Sequence, residues 1–305
     1  MRRGARIGAM VVGGIAAAAI VVVWVGTLIW NLASARAAAA LSTRTSSSTD
    51  TSSVYLPALL DGLPPPVARY FQFALAPGHL LVRRAQISWT GEFRTQPGSK
   101  WRPFTADQQF TTDPPGFLWD AKIHMAPLVT VRVRDQYIAG KGLTFAKLGA
   151  LIPVANQSGT PEMAAGALSR YLGEAAWFPT ALLPSAHLSW SAIDDSSARA
   201  TLADGATRVS ADFRFAPTGE IRQVTMQRFR DVDGRGLLTP FQGQYAQYRR
   251  VNGMMVPGTG EVAWILSPGP FPYWRGRLQS VKYEASPLHA LPQVPLTPLS
   301  THQPD

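Results

Sequence analysis

One segment, Thr160 to Pro184 (TPEMAAGALSRYLGEAAWFPTALLP), reads as a long helix in a region whose other sequence, from Leu80 to Glu284, is strand-like. A lone helix between two runs of strands must bury its apolar stripe against a sheet, which leaves few architectures open. Its start is well marked: Thr160 suits the cap, Pro161 the first helical position, and Glu162 places a negative charge where the helix dipole favours it. Ala164, Ala167, Leu168, Tyr171, Leu172 and Ala175 recur at helical spacing on one face. Arg170, Glu174 and Trp177 line a neighbouring face. Pro179 and Pro184 end the helix.

The flanking sequence alternates with a period of two and breaks at turn dipeptides. Before the helix, strands are predicted over 80–95, 101–112, 117–125 and 128–139, divided by Pro114-Pro115-Gly116 and Ala126-Pro127. After it they are predicted over 187–193, 198–203, 208–215, 220–229, 244–251, 260–266 and 274–283. Turns fall at Asp204-Gly205, Pro217-Thr218-Gly219, Asp233-Gly234 and Asn252-Gly253. About eleven short strands in hairpin order imply an α+β, mainly β fold: a large, curved antiparallel sheet, half-barrel-like, packed on one long central helix. Twenty-five Pro and 26 Gly suit such a turn-rich chain. A short helix is also expected from Val67 to Ala74, closed by Pro77-Gly78.

The N-terminal region is of another kind. Ile7 to Leu32 is an uncharged apolar run of about 26 residues, more than the roughly 20 that cross a bilayer core. Arg2, Arg3 and Arg6 precede it, so the positive-inside rule predicts a cytoplasmic N-terminus and an exported C-terminal domain, held at the bacterial inner membrane by a single pass. Trp30 and Trp24 are placed towards the outer interface. A cleaved signal peptide is the competing reading, since Ala33-Ser34-Ala35 and Ala35-Arg36-Ala37 are small-x-small sites, and both readings export the rest. The expected organisation is a transmembrane signal anchor at 1–35, a Ser/Thr-rich flexible tether at 36–54, one β-rich domain at 55–285 and a Pro-rich tail at 286–305.

The formal charge is +10 and there is no Cys. Disulfides, thiolate metal sites and Cys nucleophiles are therefore excluded. The basic residues are spread along the strands, with no run beyond Arg83-Arg84 and Arg249-Arg250, so no nucleic-acid partner is expected. A basic exterior fits anionic lipid head groups, or a general compositional preference for Arg. The five His have no metal-ligand spacing, Asp231-Val232-Asp233-Gly234 lacks the later ligands of a calcium loop, and no cofactor motif is present. Arg170 and Glu174, one helical turn apart, can pair, but their order is the less favourable one in an isolated helix and predicts a further partner for each. With Trp177 they make a polar, aromatic-edged candidate ligand site; the structural alternative is an ion pair that fixes the helix on the sheet. Glu261 with Trp264, and Tyr273-Trp274, make a second candidate, a carboxylate beside an aromatic wall, against plain cross-strand packing.

The motifs Arg170-Tyr171-Leu172-x-Glu174-x-x-Trp177-x-Pro179, Pro257-x-x-Gly260-Glu261-x-x-Trp264 and Tyr273-Trp274-x-Gly276 resemble those of a bacterial family of membrane-associated proteins of unknown function, from about Tyr55 to Tyr283. The resemblance implies no activity. At the level of fold class, the expected architecture is similar to the half-barrel lipoprotein carriers of the bacterial envelope, which hold acyl chains against a curved sheet. The leading expectation is a membrane-tethered binding module for an apolar or lipid-like ligand. An envelope hydrolase working through Glu174, Asp135 or Glu261, and a scaffold for another envelope protein, are the alternatives. The sequence does not set an oligomeric state.

Overall fold

The structure, a computed structural model, describes residues 2–43, 54–232, 234–267 and 269–285. Helix α1 (Arg2–Ser42) comes first, followed by a 3₁₀ turn at Pro57–Leu60 and helix α2 (Pro65–Ala74). Six strands follow: β1 (Val82–Phe93), β2 (Arg102–Thr112), β3 (Pro115–Ala126), β4 (Val129–Ile138), β5 (Lys141–Leu148) and β6 (Ile152–Ser158). Helix α3 (Pro161–Glu174) leads through 3₁₀ turns at Ala175–Trp177 and Pro179–Leu182 into β7 (Leu188–Asp194), β8 (Ser197–Asp204), β9 (Thr207–Phe215), β10 (Ile221–Val232) and β11 (Arg235–Ala246). The last four strands are β12 (Arg249–Val251), β13 (Met254–Val256), β14 (Thr259–Leu266) and β15 (Gly269–Ala285).

Thirteen strands form one antiparallel half-barrel sheet in the order β6-β5-β4-β3-β2-β1-β15-β14-β11-β10-β9-β8-β7, and β12 with β13 makes a separate hairpin. The chain builds outward from β1 to the β6 edge, crosses the concave face as α3, re-enters at the β7 edge and works back until β15 pairs with β1. That central pairing runs from Val82↔Ala285 to Phe93↔Trp274.

Helix α3 starts as its sequence dictates, with the Thr160 hydroxyl accepting from the Met163 amide at 3.2 Å and Pro161 at the first position. Leu168 and Leu172 are fully buried, and Tyr171 is 2% exposed. Phe110, Phe178 and Tyr171 pack as a ring cluster, Phe110 and Phe178 with centroids 4.4 Å apart. The regular helix stops at Glu174, short of Pro179 and Pro184, which were expected to end it. Beyond it the backbone tightens to a 3₁₀ turn, since Phe178 and Pro179 pull the chain out of α geometry.

Two strands more than expected enter the sheet. Strands β5 and β6 were not legible because β6, an edge strand containing Pro153, is mostly exposed and carries no alternating apolar pattern. The segment expected as one strand over 244–251 is divided: β11 begins at Arg235, where Leu237-Leu238 and Pro240 mask the period, and the chain then leaves the sheet for β12. The Asn252-Gly253 turn joins β12 to β13 with both residues at positive φ, as that dipeptide favours.

Helix α1 differs from expectation in a way that matters for function. It does not end at 35 but continues to Ser42, and its second half lies on the outer face of the sheet. Gly26 meets Ala150 and Leu151, Trp30 is 2% exposed against β3, and Leu41 packs on Gly116. Trp30 is therefore buried in protein rather than set at a membrane interface; Trp24 is the exposed one. Leu41, expected within the tether, is part of this packing. The rest of the expected tether, 44–53, and the Pro-rich tail, 286–305, lie outside the described residues.

Replacing Leu172 by Ala is expected to cost about 2–5 kcal/mol, because its side chain is fully buried in the core. Urea unfolding followed by Trp fluorescence measures it. A loss below about 1 kcal/mol would show that α3 is not held by its apolar face.

Candidate functional site

The C-terminal half of α3 is pinned from three directions. The Tyr245 hydroxyl donates to the Gly173 carbonyl (2.6 Å), the Tyr283 hydroxyl to the Trp177 carbonyl (2.6 Å), and the Trp177 indole to the Pro257 carbonyl (2.9 Å). Carbonyls at a helix end have no partner within the helix, so these hydroxyls supply a cap that the local sequence lacks. Burial, with the Glu174 charge nearby, holds the Tyr245 phenol well above its usual range, so it stays a neutral donor.

A charged relay crosses the sheet beneath this point. The Trp89 indole donates to Gln108 Oε1 (2.9 Å), and Gln108 Nε2 donates to Glu174 Oε2 (2.7 Å). Arg170 then donates to Glu174 Oε1 (2.9 Å) through Nε and to Asp135 Oδ2 (2.8 Å) through Nη1. Each member of the Arg170–Glu174 pair thus has the second partner that its order along the helix predicts. Burial opposes the charge on Arg170, but the Glu174 and Asp135 carboxylates outweigh it and hold the guanidinium above its ordinary range. The Phe117 and Trp119 rings lie 5.0 Å from the guanidinium. A cation between two carboxylates and two rings is a strongly positioned group.

Beside the relay is a cavity of about 100 Å³ between α3 and the concave face, bordered by Arg170, Glu174, Trp177, Tyr273, Trp274 and Trp119. Its walls are aromatic: Trp177 meets Trp89 at 4.9 Å and Tyr245 at 5.4 Å, and Trp89 meets Trp274 at 5.6 Å, all edge to face. Gly260 lets Trp177 approach the sheet, since a Cβ there would lie 2.8 Å from the indole. Three buried polar atoms on bordering residues have no hydrogen-bond partner among the described residues: Asp135 Oδ1, Trp119 Nε1 and Trp274 Nε1.

The residues singled out in the sequence are largely brought together. Arg170, Glu174, Trp177, Tyr273 and Trp274 share the cavity. Trp264 stacks on Tyr273 at 5.8 Å on its far side, and Arg228 sits over the Trp264 ring while donating to the Gly166 carbonyl (2.9 Å). Glu261 only touches the rim. Gly260 and Val262 face inward, so alternation along β14 sends the Glu261 carboxylate to the outer face, in register with Arg275, and it forms no wall with Trp264. Gln108, Arg228 and Tyr245 were missed. Gln108 had a readable signal, being the polar residue in the inward series Phe104, Ala106, Gln108, Phe110 of β2. Among the described residues no cluster of three His, Asp or Glu could hold a metal.

A model of a protein family described as a family of unknown function (DUF6920) matches residues 61–283. No curated protein matches the sequence. Among solved structures, a LolA superfamily protein from Nitrosomonas europaea is similar over 73% of this chain and 93% of its own, at 10% identity and a TM-score of 0.36. A likeness that loose carries no argument about a ligand.

Arg170→Met removes the cation that pairs with both Glu174 and Asp135 and is expected to cost about 3–5 kcal/mol. Glu174→Gln leaves Arg170 with Asp135 and should cost distinctly less. Urea unfolding of the two variants separates them, and equal losses would mean that the Asp135 contact does not stabilise the fold.

Proposed function

The chain belongs to that family of unknown function, and we propose that it is a membrane-tethered binding module that takes the apolar part of a lipid-like ligand under α3. The observation that carries the reading is the aromatic cavity with a fixed cation and three unpartnered buried polar atoms on its border. Buried polar groups without partners are rare, and a site that hydrogen-bonds one end of a ligand while its rings cover the rest accounts for them. At about 100 Å³ the cavity is well below the roughly 300–1,000 Å³ of a drug-sized pocket. It therefore fits a chain end or a single ring, with the remainder of the ligand outside. Arg170, Glu174, Trp177, Tyr273 and Trp274 form the site in this reading, and Trp264 backs it.

The tethering rests on α1: its stretch Ile20–Ser42 has the length and composition of a membrane span, but from Gly26 on it is seated on the sheet, so the crossing falls to the apolar run that precedes Gly26. Arg2, Arg3 and Arg6 orient it with the N-terminus in the cytoplasm and the sheet outside, at the inner membrane of a bacterial envelope. Retention of the helix as an anchor, rather than its cleavage near residue 35, is supported by the seats that Trp30 and Ser34 occupy on the sheet: cleavage would empty them.

Native mass spectrometry of the full chain, extracted from membranes in detergent, tests the ligand. The wild-type protein is expected to carry a lipid-sized adduct. The variant Gly173→Leu, whose side chain would extend between Met226 and Tyr245 into the cavity, is expected to lose it. No adduct on the wild type, together with equal binding of added lipid by both proteins, would overturn the reading.

A further inference from the structure

Large apolar side chains stand exposed at one end of the sheet. Leu128 is fully exposed in the turn between β3 and β4, with Val129 next to it, and Ile152 and Val154 are more than half exposed at the start of β6. The turns are neighbours, since β4 pairs with β5 as Val131↔Leu148 and the Gly149 amide donates to the Thr130 carbonyl at 2.8 Å. Loops of a water-soluble surface are ordinarily polar, and clustered apolar tips mark a contact with something apolar.

Helix α1 leaves the sheet at this same end. Among the described residues, Gly26 is the last of α1 seated on the domain: a Cβ there would run into Leu151 Cδ2, beside the turn that leads into Ile152. From Gly26 towards Ser42 the helix climbs the outer face to Gly116 and Arg84. Towards the N-terminus it projects past the turns, and Ile20, Val21, Val22, Val23, Trp24 and Val25 are all exposed. Between Arg6, the last charge before the apolar run, and Gly26 lie residues 7–25, which as a helix span about 28 Å at 1.5 Å per residue, close to the roughly 30 Å of a bilayer core. The bilayer boundary thus falls at Gly26, level with Leu128 and Ile152, and Trp24 sits where interfacial Trp residues are found.

We propose that this end of the sheet rests on the bilayer, with Leu128, Val129, Ile152 and Val154 dipping into the outer leaflet beside α1. The proposal rests on the reading of α1 as a membrane span. Helix and tips together hold the domain by two contacts and fix its orientation on the membrane, where a helix and a flexible tether would let it turn. The apolar tips gain burial at the interface, and the rigid helix delivers them there without further ordering cost.

The chain has no Cys, so single labels can be placed without background. Leu128→Cys, Ile152→Cys, Ala17→Cys and Ile193→Cys, each carrying an environment-sensitive fluorophore, are reconstituted as full chains in phosphatidylcholine/phosphatidylglycerol vesicles and quenched with nitroxide lipids. Ala17 reports the span, and Ile193, exposed on β7 at the opposite edge of the sheet, serves as the soluble reference. The expected result is strong quenching at 17 by deep nitroxides, quenching at 128 and 152 by shallow ones, and none at 193. Quenching at 17 with water-like signals at 128 and 152 overturns the seating while leaving the span intact. No quenching at 17 overturns the span and the seating with it, and equal quenching at 193 overturns the orientation.

Discussion

The chain leaves its sheet at one edge and re-enters at the other, so a single connection has to cross the concave face, and everything inside the half-barrel is arranged around that crossing. Strands β6 and β7 are sequential in the chain but lie at opposite ends of a thirteen-stranded order. A helix of 14 residues spans about 21 Å, enough to cover the middle of the concavity and not its whole width. The 3₁₀ turns after Glu174 supply the remaining reach, and the aromatic residues Trp177 and Phe178 fill the space where the helix itself has ended. Pinning by Tyr245, Tyr283 and Trp177 follows from this: a helix end of this kind leaves carbonyls without helical partners in a buried place, and the two phenols bond them.

The Arg170 network carries a cost as well as a benefit. Burying a guanidinium with two carboxylates gains less than an apolar packing of the same volume would, so such groups contribute orientation more reliably than stability. Here the orientation is of α3 about its own axis. Arg170 reaches back to β4 through Asp135, while Glu174 reaches β2 through Gln108, which turns the Trp177 side of the helix towards β14 and β15. The cavity lies on that side, so the ion pair, read from the sequence as a choice between structure and site, both borders the cavity and orients the helix that covers it.

How much of this was legible follows from what each signal depends on. The helix start, its buried face and the antiparallel strand pattern depend on local spacing, which the sequence displays directly. The convergence of Arg170, Glu174, Trp177, Tyr273 and Trp274 was legible only as motifs of uncommon residues, since the residues meet through the pairing of β15 with β1, a contact between distant parts of the chain. Glu261 reaches only the rim of the cavity, since strand parity, which a motif does not display, decides which face a side chain takes. Strand β6 was hidden because an edge strand outside the core has no need of an apolar face.

The docking of α1 was hidden for a related reason: the same apolar residues that suit a bilayer suit a protein surface, and hydropathy does not separate them. The polar contacts do. Trp30 donates to Asp120 on β3 at 2.9 Å, Arg132 pairs with the same carboxylate at 3.0 Å, and the Trp30 ring stacks on Phe145. Asp120 follows Trp119 in β3, and alternation sends the two to opposite faces, Trp119 inward to Arg170 and Asp120 outward to Trp30. One strand is therefore clamped between α1 and the relay that borders the cavity. In the proposed topology, a change in how α1 sits on the sheet displaces β3 and with it the Trp119 wall, since a packed strand moves as a unit rather than residue by residue. In that topology the span and the cavity share one strand, β3, through Asp120 on its outer face and Trp119 on its inner face.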